Sequence, residues 1–159
     1  MIRAATPADR DAICALHLAS WQDSYGAELP AAYLRNDLPR AMAEKWAARR
    51  FAHPEVTLVA EGTGLAGFVC ALCDRDPPLI DNLHVRPDLR GQGTGAALLA
   101  RIRGALAAMG HSHAYLTVLE SNPRALAFYL AQGGTDGGPV SDMLVGHPVQ
   151  ARRIDFTLG

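Results

Sequence analysis

The distribution of apolar residues predicts a strand, a glycine-rich turn and a helix at the centre of the chain. Leu79–Val85 is short, mostly apolar and flanked by prolines, which is typical of a buried strand. After it, apolar residues recur at helical spacing until Gly110, where a helix would stop. These apolar positions are Leu98, Leu99, Ile102, Leu106 and Met109.

The residues before this unit predict helices followed by a β-hairpin. Met1–Ala4 can supply a first strand. Thr6 and Pro7 favour a helix start, because Thr caps helices well and Pro suits the first turn. Further helix is predicted at 30–33 and 39–51, with Arg49 and Arg50 as a solvated helix end. The hairpin strands are predicted at 56–61 and 65–72, on either side of a glycine-containing link.

The residues after Gly110 predict two more strands and a helix. The predicted elements are a buried strand at His113–Leu119, a helix from Arg124 to about Gln132, a flexible connection at Gly133–Pro139 and a half-exposed strand at Arg152–Leu158. At 159 residues, with no internal repeat, the chain is expected to form a single domain over residues 1–159. The pattern predicts an α/β domain with a mixed sheet.

Charge and hydropathy limit the classes of partner. The formal net charge of −1 gives no electrostatic reason to expect a nucleic acid. No apolar run is long enough to span a bilayer, and the N-terminus lacks a signal pattern, so we expect a cytoplasmic location and no membrane partner. The sequence leaves open whether the protein forms a homodimer.

Cysteine usage favours buried thiols over metal or redox chemistry. Cys14, Cys70 and Cys73 are an odd set for a disulfide framework. Cys70 and Cys73 have C-x-x-C spacing, but within a strand their side chains would point to opposite faces. A second ligand pair at suitable spacing is missing, so we expect no metal.

The glycine-rich turn, Arg90-Gly91-Gln92-Gly93-Thr94-Gly95, predicts an anion site. Glycine lets the backbone approach a ligand closely, and the first amides of the following helix point unpaired N–H groups outward. No Lys-Ser or Lys-Thr follows, as a P-loop requires, and the glycine order differs from the dinucleotide fingerprint. A purely conformational role for the turn is the alternative.

Two motifs carry a resemblance to a known family. The pattern R-x-x-G-x-G, formed by Arg90, Gly93 and Gly95 directly after Leu83-His84-Val85, resembles the acetyl-CoA site of the GCN5-related N-acetyltransferase (GNAT) superfamily. Asn122, which follows the next predicted strand, and Tyr129, seven residues on, resemble the second hallmark of that superfamily. The alternative for Asn122 is a simple helix cap, because Pro follows it.

The resemblance implies a single-domain GNAT-like fold, in which about four helices flank a twisted mixed sheet and the fourth and fifth strands splay apart. It implies that acetyl-CoA, as a cosubstrate, enters that gap and is bound by backbone groups, the glycine turn and the following helix. The implied coenzyme-binding residues are Leu83, His84, Val85, Arg90, Gly91, Gln92, Gly93, Thr94, Gly95, Asn122, Arg124 and Tyr129.

The resemblance also implies catalytic roles. Tyr129 matches the acid that protonates the leaving thiolate. Asp81 is the first candidate for the general base, because strand alternation would place it on the face of Leu83 and Val85. Its alternative role is to orient substrate or pair with an arginine. Glu120, at the end of the next strand, is its rival.

The acceptor side is less well marked by the sequence. Trp21 and Tyr25 are candidates for the wall of an acceptor pocket, with a packed aromatic anchor as the alternative. The family's usual pattern after the last helix is replaced by a glycine-rich stretch, which makes the sixth strand and the acceptor hard to predict.

Together these features predict an N-acetyltransferase that moves an acetyl group directly from acetyl-CoA to the amine of a small molecule, amino acid or peptide. No cysteine lies near the predicted thioester position, which disfavours a covalent enzyme intermediate. The alternatives are a non-catalytic acyl-CoA-binding sensor and an enzyme that uses a longer acyl-CoA.

Overall fold

A computed structural model of the chain describes residues 1–24, 29–144 and 146–159. Across these residues the chain forms seven strands and five α-helices. The strands are β1 (Ile2–Ala4), β2 (Glu55–Gly62), β3 (Gly64–Leu72), β4 (Leu79–Val85), β5 (His113–Leu119), β6 (Thr135–Leu144) and β7 (His147–Thr157). The helices are α1 (Arg10–Ser24), α2 (Ala31–Asn36), α3 (Leu38–Ala47), α4 (Thr94–Ala108) and α5 (Pro123–Ala131).

All seven strands belong to one sheet, in the order β1-β2-β3-β4-β5-β7-β6. Neighbouring strands are antiparallel except β4 and β5, which run parallel and pair only at Leu79 and Tyr115. Beyond that pair the two strands separate. The predicted mixed sheet with splayed fourth and fifth strands is confirmed.

Helices cover both faces of the sheet and divide the core into two layers. On one face, α4 buries the predicted apolar stripe that includes Leu98, Ile102 and Leu106. On the other face, α1 and α3 bury their own apolar positions, among them Ile13 and Trp46. The sheet is therefore enclosed on both sides, and α2 forms where the sequence predicts helix at 30–33, which gives five helices where the resemblance implies about four.

The glycine-rich segment after α5 corrects one prediction. Residues 133–139 were expected to form a flexible connection, yet β6 begins at Thr135 and pairs with β7. Gly134 explains the close packing, because a Cβ built there would lie 2.5 Å from Ile154 Cγ2 and 2.9 Å from the carbonyl oxygen of Tyr129. Glycine is needed here for close approach and not for flexibility. None of the helices in the described part of the chain is long and apolar enough to cross a membrane.

Candidate functional site

The separation of β4 from β5 leaves backbone groups of β4 facing a gap. Arg86 donates its backbone N–H to Ala66 on β3 at 2.8 Å. Because donors alternate along an antiparallel ladder, the N–H groups of Leu83 and Val85 point away from β3. They point to where β5 would pair if the two strands had stayed together. Such groups need a partner, and an extended ligand can supply it.

The glycine turn directly after β4 presents further donors. Gly91 and Gly93 adopt left-handed backbone conformations, with φ of 80° and 85°. Ala97 is the first residue of α4 to donate back along the chain, to the carbonyl of Gly93, so the N–H groups of the three preceding residues have no partner within the helix. These amides and the positive end of the helix dipole are suited to an anion, at the turn where the sequence predicts an anion site.

A cleft of about 1210 Å³ joins the gap to the glycine turn. It brings together most of the residues that the sequence singles out. The predicted site residues that line it are Trp21, Asp81, Leu83, His84, Val85, Arg90, Gly91, Gly93, Thr94, Gly95, Asn122, Arg124 and Tyr129. Gln92 is exposed and does not line the cleft, and Tyr25 lies outside the described residues.

Arg90, the first residue of the motif, is held by an ion pair across the cleft. Its Nη1 lies 2.9 Å from Oδ2 of Asp23, near the end of α1. The two side chains are 28% and 54% exposed, so the pair is weak and the guanidinium can exchange its partner for a phosphate.

Helix α5 and its cap bring three predicted residues to the cleft. Asn122 caps the helix, because its Oδ1 accepts a hydrogen bond from the N–H of Ala125 at 3.2 Å. Its side-chain NH₂ group is the part that can reach a ligand in the cleft. Arg124 is exposed beside it. In the last turn of α5, the ring of Tyr129 lies at the cleft and packs edge-on against Phe128.

Asp81 occupies a bulge, which corrects its predicted orientation. Cys70 pairs with Asn82 and Ala71 pairs with Ile80, so Asp81 is an extra residue on β4. The bulge breaks the alternation along the strand. As a result, Asp81 does not share a face with Leu83 and points towards α3.

There the Asp81 carboxylate lies between two cations. Its Oδ2 is 2.7 Å from Nη2 of Arg49, just after α3, and 3.6 Å from Nζ of Lys45, within α3. Burial raises the pKa of Asp81, but Lys45 and Arg49 outweigh burial and hold that pKa below its usual value. Asp81 is therefore an ionised carboxylate at neutral pH, at the edge of the cleft.

Arg49 is the residue that sequence reasoning misjudged. It was predicted to be solvated at a helix end, yet its side chain is only 11% exposed. Besides Asp81, it contacts Sγ of Cys70 at 3.0 Å and lies over the ring of Trp46. These contacts join residues that are far apart in sequence, so no local sequence pattern predicts them. Lys45 was not singled out either.

Glu120, the predicted rival of Asp81, does not line the cleft. It is exposed at the end of β5, and Oε1 lies 3.5 Å from Nη1 of Arg152. The structure therefore separates Glu120 from the other candidate catalytic residues and leaves Asp81 as the carboxylate of the pair that lines the cleft.

A buried group of aromatic and imidazole rings supports the cleft behind His84. The Nδ1 of His84 lies 2.8 Å from the hydroxyl of Ser20, and its ring packs 4.6 Å from that of His17. Burial, with smaller contributions from Lys45 and Arg90, lowers the pKa of His84 to about 3, so its ring is neutral. Trp21 is 7% exposed, so it is a core residue and a wall of the cleft at once.

The cysteines are free thiols, and the C-x-x-C pair faces opposite ways as predicted. Cys70 is buried in the core layer of α1 and α3, whereas Cys73 packs against the other layer. Burial raises the pKa of both thiols. Within residues 1–24, 29–144 and 146–159, no three His, Cys, Asp or Glu side chains are grouped so that they could hold a metal ion.

Comparison with known proteins identifies a family. The sequence model of the Acetyltransferase (GNAT) family matches residues 13–133. No curated protein matches the chain by sequence.

Solved structures share the fold over almost the whole chain. A GCN5-related N-acetyltransferase from Rhodopseudomonas palustris is 21% identical with a TM-score of 0.77, over 99% of this chain and 95% of that one. The PaiA N-acetyltransferase of Thermoplasma acidophilum, solved with coenzyme A, is 15% identical with a TM-score of 0.78, over 99% and 98%. The yncA protein of Salmonella typhimurium, solved with its cofactor acetyl-CoA, is 18% identical with a TM-score of 0.70, over 100% and 94%.

Proposed function

Because the chain belongs to the GNAT acetyltransferase family, we propose that it transfers an acetyl group from acetyl-CoA to the amine of a small molecule, amino acid or peptide. The observation that carries this proposal is the single cleft that joins the gap between β4 and β5 to the glycine turn before α4. The backbone donors of β4 and those of the glycine turn suit an extended thioester with a pyrophosphate at one end.

The chain's own groups account for coenzyme binding. The free amides at the start of α4 bind the pyrophosphate, and Arg90 leaves Asp23 to contact a phosphate. Arg124 is a further phosphate contact. The pantetheine arm fills the gap beside β4, where it satisfies the N–H groups of Leu83 and Val85. The NH₂ group of Asn122 holds the arm from the other wall.

The same donors serve the reaction. Attack of an amine on the thioester carbonyl builds negative charge on its oxygen, and a β4 backbone N–H stabilises that charge. Tyr129 protonates the sulfur as the C–S bond breaks, which is the role its place on α5 supports. These steps need no covalent enzyme intermediate.

Asp81 binds the acceptor amine in this scheme. A carboxylate whose pKa is lowered by two cations is a weak proton acceptor, but it stays charged and can hold an ammonium group beside the thioester. The ammonium group then loses its proton to water before it attacks. Trp21 and Met42 supply apolar surface to the same cleft.

Calorimetric titration with acetyl-CoA, coenzyme A and a longer acyl-CoA tests the proposal, together with thiol release over a panel of amines. We expect micromolar binding of acetyl-CoA and thiol release that depends on the amine. Binding without release over the whole panel would favour a sensor. A preference for the longer acyl-CoA would change the donor, and no binding would refute our interpretation of the cleft.

A further inference from the structure

The chain contains fourteen arginines and one lysine, and that lysine lines the cleft. Lys45 lies in the last turn of α3, with its side chain 33% exposed. Lysine and arginine serve equally well as solvated charges, but only lysine carries an amine that can be acylated. The one ε-amine of this acetyltransferase thus lies on the wall of its own candidate active site.

The surroundings of Lys45 match those proposed for an acceptor amine. Its Nζ lies 3.6 Å from Oδ2 of Asp81, the carboxylate that we expect to hold the acceptor. Nη2 of Arg49 lies 2.7 Å from the same oxygen, so Asp81 keeps a close cationic partner when Lys45 moves or loses its charge. Lys45 is the more exposed and more distant of the two cations.

We propose that Lys45 is a self-acetylation site, modified by the acetyl-CoA bound in the same cleft when no acceptor is present. This inference rests on the proposed function, because the acetyl donor is the substrate of that reaction. Lys45 would act as a tethered acceptor, held next to the thioester by the helix that carries it.

The step balances without any further reagent. The ε-ammonium group loses a proton to water, and the nitrogen lone pair attacks the thioester carbonyl carbon. A C–N bond forms, the C–S bond breaks, and the sulfur takes a proton from Tyr129, which regains one from water. The amide nitrogen loses its second proton to water, leaving acetyl-lysine and coenzyme A.

Self-acetylation would change the acceptor end of the cleft. The amide has no charge and adds an acetyl group beside Asp81, where an incoming ammonium would bind. Arg49 still pairs with Asp81, so we expect the fold to survive. Turnover of added acceptors should fall as modified protein accumulates. A good acceptor, when present, should protect Lys45 from acetylation.

Intact mass spectrometry after incubation with acetyl-CoA alone tests the proposal. We expect a gain of one acetyl group, mapped by peptide analysis to Lys45, at a rate independent of protein concentration. Because a positioned nucleophile gains a large effective concentration, the folded protein should react at least about tenfold faster than the chain unfolded in urea. The Lys45→Arg variant keeps the positive charge near Asp81 and should gain nothing at this position. The Tyr129→Phe variant should be modified more slowly at equal acetyl-CoA binding.

Three results would overturn the inference: no gain at Lys45 in a protein that acetylates added amines, an equal rate in the unfolded chain, or modification confined to the α-amine of Met1. The first of these leaves the proposed function intact. Absence of both acetyl-CoA binding and amine-dependent thiol release would overturn the two together.

Discussion

The ion pair between Arg49 and Asp81 should stabilise the protein in a pH-dependent way, and Arg49→Met tests it. Methionine keeps an unbranched apolar chain beside Trp46 but removes the guanidinium, which contacts Asp81 at 2.7 Å and whose Cζ lies 5.3 Å from the centre of the Trp46 ring. The change leaves Asp81 with Lys45, at 3.6 Å, as its remaining cationic contact. A partly buried carboxylate would then be poorly compensated.

The structure bounds the size of the effect. Breaking a fully buried ion pair costs about 3–5 kcal/mol, whereas an exposed pair contributes about 0–1 kcal/mol. The side chains of Arg49 and Asp81 are 11% and 24% exposed, and Lys45 offers partial compensation. We therefore expect Arg49→Met to lower the free energy of unfolding by about 2 kcal/mol at about pH 7.

The sign of the pH dependence follows from Asp81. Its pKa is lowered in the folded protein, so the pair contributes stability above the ordinary carboxylate pKa of 3.8, and this contribution is lost as the pH falls through the lowered pKa. Without Arg49, burial raises that pKa, and protonation of Asp81 relieves the uncompensated charge. The difference between Arg49→Met and the wild type should therefore shrink as the pH is lowered to about 4.

Urea unfolding, followed by tryptophan fluorescence, measures the free energy of unfolding of Arg49→Met, of Asp81→Asn and of the double variant. Asp81→Asn removes the charge that Arg49→Met leaves uncompensated, so the double variant should be more stable than the two single losses predict. An equal loss at both pH values, together with additive effects, would refute the ion-pair explanation. It would leave packing against Trp46 as the role of Arg49.

Three further predictions address the cleft. Tyr129→Phe should lower turnover about 100-fold with little change in acetyl-CoA affinity, and unchanged turnover in the thiol-release assay would remove Tyr129 from the acid role. Gly93→Asp should abolish acetyl-CoA binding in calorimetry. Gly93→Ala has the same strain of a left-handed residue, about 1–2 kcal/mol, but should keep measurable binding. Equal binding by both variants would contradict a phosphate at this turn. Burial holds the pKa of His84 at about 3 and that of His17 well below 6.5, so both rings stay neutral in the folded protein. The free energy of unfolding should therefore fall as the pH is lowered from about 6.5 to about 5, by up to about 1.4 kcal/mol per pH unit for each histidine. His84→Gln should reduce that slope, and an unchanged slope would contradict the contribution of His84.

The parts of the site that could be predicted from the sequence are contiguous in the chain. Strand β4, the glycine turn and α4 follow one another, so composition and spacing define the anion site without knowledge of distant contacts. The same holds for Asn122 and Tyr129, because their positions follow from the end of one strand and from the helix that comes next in the chain. Trp21 joins this site from α1, where its apolar character marks it as a core residue too.

Besides the face of Asp81, two predictions failed, each for its own physical reason. Arg49 meets Asp81 only through the tertiary contact between the end of α3 and β4, and a basic residue after a helix usually lies in solvent. The start of β6 was interpreted as flexible because glycines cluster there. Yet glycines in a strand also mark bulges and close contacts, and the register of β6 shifts between Asp136 and Pro139. That second signal was present in the sequence.

The bulge at Asp81 links the fold to the proposed chemistry. Leu79, just before it, is the residue of β4 that pairs with β5, and the residues just after it leave their N–H groups to the gap. A bulge increases local twist, so one extra residue explains why β4 turns away from β5 at this point. It also turns the Asp81 side chain towards Lys45 and Arg49, on the α3 side of the strand at the edge of the cleft. The opening proposed for the coenzyme and the carboxylate proposed to hold the amine thus arise from the same irregularity. Deleting Asp81 should therefore close the gap between β4 and β5, seen as a loss of acetyl-CoA binding in calorimetry, and remove the carboxylate proposed to hold the amine.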